Sequence, residues 1–170
     1  AENGHDVRLV GTHLDGEIIA GCKARRFHPR LRRELPPRMT PFYLEELPRA
    51  MEDTEVVVGG VNSLGVHWLG EILAAHLRPE HLLISITKGL EVDDGGRIQI
   101  FPEVLSAGWP AALREAVSPA AVGGPCIAGE LAGRRPTCVV FGCRDRSVVE
   151  RLAPLFRTGY YHVWTTDDLA

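Results

Sequence analysis

Two hydrophobic patterns alternate along the chain: short runs of apolar, often β-branched residues, and longer segments in which apolar residues recur every three or four positions. The short runs predict strands at residues 5–10, 40–44, 55–61, 82–86, 120–122, 137–141 and 160–165. The longer segments predict helices at residues 15–24, 47–51, 65–77, 111–116, 126–132 and 145–156. This succession of strand, loop and helix is typical of a doubly wound α/β sheet.

Proline and glycine predict where these elements break. Residues 27–38, rich in proline and arginine, predict a loop, and Asp-Asp-Gly-Gly at 93–96 predicts a hairpin turn. Residues 98–105 are expected to form a short strand or the start of a helix. Pro125 stands where proline is best tolerated, so the helix at 126–132 is expected to begin there.

The run Leu-Leu-Ile-Ser-Ile at 82–86 predicts a strand buried on both faces. It ends in Thr87, Lys88 and Gly89, a hydroxyl, a cation and a flexible backbone, at the edge where open α/β sheets bind ligands. Lys88 is therefore the first candidate for a functional residue. The alternative is a solvated lysine in a turn between a strand and a loop.

Small or polar residues follow several predicted strands, and the carboxyl ends of the strands of such a sheet meet at one rim. The stretches are Gly11-Thr12-His13, Val61-Asn62-Ser63, Thr87-Lys88-Gly89 and Gly123-Gly124-Pro125-Cys126. A helix beginning at Pro125 would direct free N–H groups at an anion, and Lys88 facing it would suit a phosphate or a carbonyl oxygen. The alternative is that glycine and proline only punctuate the turns.

Other reactive residues have weaker support. Cys126, near a helix start, is a candidate nucleophile, but the sequence offers no base for it. Asp167 and Asp168 are better interpreted as capping residues than as paired acids. His13 faces either a ligand or solvent.

Composition excludes several classes of protein. The chain has 170 residues, 45% hydrophobic, and a formal net charge of -3, so residues 1–170 are assigned to one domain with no nucleic-acid partner. No apolar run is long enough for a membrane span, and the polar N-terminal residues exclude a secretory signal, so a cytoplasmic location is expected. Four cysteines and seven histidines lack metal-ligand spacing, so no metal site is expected.

Both ends of the sequence are expected to cut through structural elements. Residues 1–4 have the pattern of the last turn of a helix closed by Gly4, and one half turn is too short to form alone. Residues 166–168 have the pattern of a cap for a helix that would follow.

Five stretches carry a resemblance to a known family, in the family's order and at compatible spacing. They are Gly-His-Asp-Val-Arg-Leu at 4–9, Val-Asn-Ser at 61–63, Thr-Lys-Gly-Leu-Glu at 87–91, Gly-Pro with Ala128 and Glu130 at 124–130, and residues 160–168. The chain resembles the cofactor-binding domain of the NAD(P)-dependent glycerol-3-phosphate dehydrogenases. The resemblance implies a Rossmann-type sheet without its first strand and glycine-rich turn, and without the family's C-terminal helical domain.

The resemblance also implies roles for individual residues. Lys88 looks like the lysine that touches both cofactor and substrate, and Gly124 and Cys126 would line the site of a small phosphorylated substrate. Thr12, His13, Val61, Asn62, Ser63 and Ala128 would contact NAD or NADP. The complete enzyme, for which a homodimer is one option, would interconvert sn-glycerol 3-phosphate and dihydroxyacetone phosphate, whereas the fragment alone is expected to be inactive.

The sequence departs from the family's pattern at three positions. Gly123 stands where the family usually has serine, Asn62 replaces a proline, and Leu31 stands where an aromatic residue often packs near the adenine. Cofactor preference stays open. An acidic residue at the end of the strand at residues 8–10 would favour NAD, but Thr12-His13 are there instead and Asp15 lies a little late. Arg25-Arg26 could bind a 2′-phosphate, so either cofactor is expected to be accepted.

Two other functions are consistent with the sequence. A related two-domain dehydrogenase acting on a hydroxyacid, ketopantoate or a sugar acid would share the same rim, and a panel of alcohol substrates would distinguish it. A truncated, non-catalytic binding module is the other alternative, and the sequence flanking this chain would decide that question.

Overall fold

The computed structural model describes residues 1–169, which divide into two compact units. The first unit comprises Ala1–Thr54 and Ile127–Arg135, and the second comprises Glu55–Cys126 and the segment that begins at Pro136. A short excursion of the chain, residues 127–135, therefore returns to the first unit between two strands of the second.

The structure contains eleven strands within residues 1–169. They are β1 (Val7–Val10), β2 (Phe27–His28), β3 (Arg33–Glu34), β4 (Met39–Phe42), β5 (Val56–Gly59), β6 (Leu82–Ser85), β7 (Leu90–Val92), β8 (Ile98–Ile100), β9 (Ala120–Gly123), β10 (Thr137–Gly142) and β11 (Tyr161–Thr166). Seven of these eleven strands, namely β1, β4, β5, β6, β9, β10 and β11, lie within a few residues of the predicted ones. The predicted hairpin turn at residues 93–96 is confirmed, because β7 and β8 pair antiparallel on either side of it.

The helices also follow the sequence pattern. They are α1 (Gly16–Arg25), α2 (Leu47–Met51), α3 (Val66–Ala74), α4 (Phe101–Ser106), α5 (Ala111–Ala116), α6 (Ala128–Ala132) and α7 (Arg146–Phe156), with 3-10 turns at Leu44–Glu46 and Ser63–Gly65. No helix within residues 1–169 is long and apolar enough to cross a membrane.

The first unit is built on the parallel pair β1 and β4. Helix α1 buries Ile19 and Cys22, which are 2% and 0% exposed. The guanidinium of Arg8 donates to the carbonyl of Ala50 at 2.9 Å and also to that of Glu52. Arg8 thereby satisfies carbonyl groups at the end of α2 that have no partner within the helix.

The prediction of a loop at residues 27–38 is wrong in part, because β2 and β3 form a short antiparallel hairpin there. Arg26 makes this hairpin possible. It adopts a left-handed conformation (φ 50°), and its guanidinium donates to the carbonyls of Pro36 at 2.7 Å and Met39 at 3.1 Å. Prolines cannot join a ladder as donors, so a side chain holds this segment instead.

The second unit contains a five-stranded sheet in the order β11-β10-β9-β6-β5. Strands β5, β6 and β9 are parallel, whereas β10 is antiparallel to β9 and parallel to β11. Gly124, whose φ of 96° favours glycine, continues beside β10, and the chain reverses between Pro125 and Thr137. The predicted α/β class is confirmed, and the sheet is mixed because of this reversal.

The core of the second unit lies around β6 and the contact between α3 and α4. All four residues of β6 are buried, as predicted for a strand covered on both faces. A Cβ on Gly70 would lie 2.2 Å from the carbonyl oxygen of Leu105, so only glycine lets the two helices approach this closely. The indole of Trp109 donates to the carbonyl of Gly70 at 2.9 Å.

The prediction that a helix begins at Pro125 is wrong. Helix α6 begins at Ala128, after Ile127 in extended conformation (φ -100°, ψ 126°). The carbonyl of Pro125 accepts a hydrogen bond of 2.7 Å from the hydroxyl of Thr137, which keeps the chain beside β10. The expected helix dipole at Pro125 is therefore not available, and a five-residue helix would supply little of it.

Candidate functional site

Three loops meet at the carboxyl edge of β5, β6 and β9. The register pairs Gly59 with Ser85 and Ser85 with Ala121, so the loops that carry Asn62, Lys88 and Gly124 leave the sheet at the same edge. The hydroxyl of Thr87 donates to the carbonyl of Val61 at 2.6 Å, which ties the first two loops together. Adjacent strands lie about 5 Å apart, so the three loops begin on neighbouring strands.

Lys88 is exposed at this edge and forms no ion pair with any residue in the range 1–169. The following residue, Gly89, has a φ of 133°, and a Cβ on it would lie 2.9 Å from the ring of Phe101. The backbone beside Lys88 is therefore packed against a buried aromatic ring, while its ammonium group is free to meet an anion or a carbonyl oxygen.

Asn62 and Ser63 begin the 3-10 turn at this edge. The side-chain oxygen of Asn62 accepts a hydrogen bond from the backbone N–H of Gly65 at 3.1 Å. Asn62, which replaces the family's proline, thus caps the turn and leaves its amide NH₂ group for other contacts. A Cβ on Gly65 would lie 3.1 Å from that of Val61, so the turn is tight.

Cys126 is half-buried and lies near Tyr161 at the start of β11. Burial, with a smaller contribution from a negative charge on Cys126, raises the pKa of Tyr161 to about 12. A groove of about 450 Å³ runs beside it, lined by Cys138, Arg157, Thr158 and residues 161–164. Within residues 1–169 no hydrogen bond links the Cys126 thiol to a base, so the nucleophile hypothesis gains no support.

Thr12 and His13 line a small cleft in the first unit, directly after β1. The cleft has a volume of about 60 Å³, and its other walls are Gly11, Gly16, Ile19 and residues 43–45. A Cβ on Gly11 would lie 2.5 Å from Ile19, so glycine is required where β1 passes under α1.

Asp15 occupies the predicted N-cap position of α1, but its side chain makes no bond to the helix. Its carboxylate instead accepts hydrogen bonds from the backbone N–H of Thr12 at 3.0 Å and from the Thr12 hydroxyl at 2.6 Å. These bonds hold the pKa of Asp15 below its usual value, and the positive charges of Arg30 and His28 add to the effect.

Arg30 and His28 are residues that the sequence does not single out. They belong to the short hairpin in the predicted loop, and their charge reaches Asp15 beside the Thr12 cleft. Arg26, which the sequence suggests for a 2′-phosphate, is instead engaged with the carbonyls of Pro36 and Met39. The basic run at residues 23–33 is the signal that could have directed attention to Arg30.

Ala128 is exposed as the first residue of α6, and it belongs to the first unit with Thr12 and His13. The second unit contains the other predicted residues: Val61, Asn62, Ser63, Lys88, Gly124 and Cys126. Each unit thus contains its own group of the residues that the sequence predicts for one cofactor site.

Parallel strands with small, polar loops at their carboxyl edge define a Rossmann-type α/β fold. The solved glycerol-3-phosphate dehydrogenase from Coxiella burnetii has this fold, with a TM-score of 0.82 and 20% sequence identity over 99% of this chain and 48% of that one. Residues 1–149 match the family model described as NAD-dependent glycerol-3-phosphate dehydrogenase N-terminus, and the chain belongs to this family.

Curated relatives agree with this family. The chain is 35% identical over 170 residues to the NADP(+)-dependent glycerol-3-phosphate dehydrogenase of Archaeoglobus fulgidus, covering 99% of this chain and 48% of that protein. It is 30% identical over 172 residues to the glycerol-3-phosphate dehydrogenase [NAD(P)+] of Lysinibacillus sphaericus, again covering 99% and 48%. The chain therefore spans about half the length of the curated relatives it matches.

Proposed function

We propose that this chain is the dinucleotide-binding part of a glycerol-3-phosphate dehydrogenase. The complete protein would interconvert sn-glycerol 3-phosphate and dihydroxyacetone phosphate with NAD or NADP. Family membership and the names of the relatives support this activity. The observation that carries the proposal is the position of Lys88, an exposed cation between the Asn62 and Gly124 loops that is unpaired within residues 1–169.

The residues fit a dinucleotide. Glycine at positions 11 and 124 follows from packing inside the chain, because a Cβ there would meet Ile19 or the carbonyl oxygen of Cys138. Thr12 and His13 follow β1, the position that contacts the adenosine ribose in sheets of this class. We assign these two to the ribose, and Val61, Asn62, Ser63, Lys88 and Ala128 to the rest of the cofactor.

The nicotinamide ring supplies or accepts the hydride in this chemistry. Lys88 would donate hydrogen bonds to the substrate oxygen on the reacting carbon, where negative charge develops when the ketone is reduced. Gly124 would give the small phosphorylated substrate access to the backbone, and Cys126 would line its glycerol end. Support comes from the position of Gly124 directly after β9, the strand that pairs with β6 before the Lys88 loop.

The experiment that tests this role is Lys88→Ala in the complete protein. Removing one group that stabilises developing charge lowers kcat/KM by roughly 100-fold or more. The matched control is Lys23→Ala, the other lysine of the chain, which pairs with Glu46 and lies over the ring of Tyr43. An unchanged kcat/KM of Lys88→Ala, with dihydroxyacetone phosphate as substrate, would contradict the assignment. Activity of the parent protein on a panel of hydroxyacids and ketopantoate would instead favour one of the related dehydrogenases.

We also propose that NADP is accepted as well as NAD, with Arg30 as the residue that binds the 2′-phosphate. The charge of Arg30 reaches Asp15 beside the Thr12 cleft, and one relative is named as NADP(+)-dependent. Arginine is suited to phosphate because its planar fork of donors matches the phosphate oxygens.

The remaining proposals concern the complete protein. Within residues 1–169, β5 pairs with β6 alone, so one of its edges is open to a further strand, and we propose that this strand carries the glycine-rich turn. We propose that both units belong to one dinucleotide-binding domain, followed by a second, helical domain. A homodimer and a cytoplasmic location stay predictions from the sequence.

A further inference from the structure

The hairpin of β7 and β8 presents its apolar side chains to solvent. Leu90, Val92 and Ile98 are 65%, 62% and 64% exposed, and the register pairs Val92 with Ile98 and Leu90 with Ile100 on one face. The opposite face carries Glu91 and Gln99, which are partly buried. This polarity is the reverse of the usual one for a hairpin that lies on a domain surface.

The inner face is held in place, so the hairpin cannot turn over to bury its apolar side. The carboxylate of Glu91 contacts Nε2 of His67 on α3 at 2.7 Å. At the base of the hairpin, the backbone of Gly89 packs against Phe101, the first residue of α4, which is 4% exposed. The apolar face is therefore a fixed surface.

We infer that this face, formed by Leu90, Val92 and Ile98, is the seat of the second domain of the same polypeptide. The inference rests on the proposed function, because it requires the complete protein to have the length of its relatives, of which this chain spans 48%. The occupant would present a complementary apolar surface, since the outer face contains no charged residue within β7 and β8.

The area of the face favours a tethered domain over a second copy of the chain. Three side chains that are about two-thirds exposed present on the order of 300 Å², whereas a stable interface buries roughly 800 Å² on each partner. A domain joined through the chain has a high effective concentration, so a small contact suffices to hold it.

The position of the hairpin gives the contact a functional consequence. Leu90, the first residue of β7, is two positions after Lys88, and the chain leaves the hairpin directly at Phe101. A domain seated on this face would cover the loop that carries Lys88 and exclude water from the sheet edge. A second domain docked on the hairpin would thus form another wall of the site around Lys88.

Cysteine labelling of the complete protein tests this inference. Val92→Cys is treated with N-ethylmaleimide, and modification is followed by peptide mass, which separates it from the native thiols. The control is Asp94→Cys, in the exposed turn of the same hairpin. We expect the thiol introduced by Val92→Cys to react at least tenfold more slowly than the thiol introduced by Asp94→Cys, at every protein concentration.

Equal rates in the two variants would show a free surface and would overturn the inference. Protection that disappears on dilution would identify a second copy as the occupant and would overturn it as well. Val92→Asp adds an independent measurement: we expect it to lower the Tm of the complete protein by several degrees, with Asp94→Asn unchanged. NADPH binding, measured on the same samples by fluorescence, separates a failure of this inference from a failure of the proposed function.

Discussion

Arg30 is the side chain through which we expect the protein to recognise the 2′-phosphate of NADP. Replacing it with alanine removes a charge-assisted contact, worth about 1.5–3 kcal/mol, and should raise the Kd of NADPH roughly 10- to 100-fold. The Kd of NADH should not change. Fluorescence titration of the complete protein measures both constants.

The control for this experiment is Arg33→Ala, an exposed arginine in β3 of the same hairpin. It removes the same charge, and we expect Kd to change less than threefold for either cofactor. Equal weakening of NADH and NADPH by Arg30→Ala would indicate a structural role for Arg30. Similar effects of the two substitutions on NADPH would indicate a diffuse attraction by the basic hairpin.

Tyr161 gives a pH-dependent prediction. Burial raises its pKa from 10.0 to about 12, so the folded protein holds the phenol in its neutral form. Folding therefore gains stability from this group below pH 10, and the gain is lost as the pH rises from 10 towards 12. Ultraviolet absorbance should show the ionisation of the Tyr161 phenol as a late phase, near pH 12.

The late phase should disappear in Tyr161→Phe and persist in the control Tyr160→Phe, which changes the neighbouring, less buried ring. Cys126→Ser should lower the late pKa slightly, because the thiolate contributes to the shift. A late phase that Tyr161→Phe leaves unchanged would mean that the hydroxyl of Tyr161 is not buried in solution.

Some candidate residues can be predicted from the sequence because the evidence for them lies in the neighbouring residues. Lys88 stands out because a buried strand must end at an edge, and the residues after that end are readable without knowledge of the fold. Arg30 does not stand out in the sequence, because its relevance depends on a hairpin through which its charge reaches Asp15. That hairpin is held by hydrogen bonds from Arg26 to carbonyls about ten residues away.

Two helix glycines lead to opposite predictions for the same substitution. Gly21 in α1 has only the flexible end of Arg25 near its Cβ position, at 3.4 Å, so Gly21→Ala should stabilise the chain by about 0.5–1 kcal/mol. Gly70 in α3 faces the backbone oxygen of Leu105 at 2.2 Å, which cannot move aside easily. Gly70→Ala should destabilise by about 3 kcal/mol or more.

Urea unfolding of the complete protein measures both changes. A Gly70→Ala protein as stable as the parent would show that α3 and α4 do not pack this closely. Trp109→Phe offers a second test of the same contact, because it removes the donor to the Gly70 carbonyl and leaves that oxygen buried without this partner. We expect a cost of about 1–3 kcal/mol.

Most elements are predictable because their patterns are local. The Asp145 cap of α7 is an example: its carboxylate accepts from the N–H of Ser147 at 3.0 Å, as the residue types indicate. The prediction for helix α6 is wrong because Pro125 also suits a helix start, while the bond from Thr137 to its carbonyl holds the chain extended. That bond joins residues far apart in sequence, which no local pattern reveals.

The direction of β10 is also not readable from a local sequence pattern. A run such as Thr137–Gly142 predicts a strand but not its orientation, and the reversal that sets the orientation takes place in the excursion of residues 127–135 to the first unit. The assignment of residues 1–170 to one domain comes from length and stays a prediction; the residues that the structure describes form two compact units.

The 170-residue chain alone should bind NAD(H) or NADP(H) weakly and catalyse nothing. Thr12 and His13 lie in one unit and Lys88 in the other, the proposed glycine-rich strand would contact the pyrophosphate, and the second domain would close the site over Lys88. Without them the dinucleotide loses much of its contact area, and we expect a Kd weaker than about 100 μM, or roughly 5.5 kcal/mol of binding free energy.

Calorimetric titration measures this constant, and NADH oxidation with dihydroxyacetone phosphate measures turnover, with the complete protein as control for both. Micromolar affinity of the isolated chain would contradict the first expectation, and measurable turnover would mean that Lys88 suffices without a second domain.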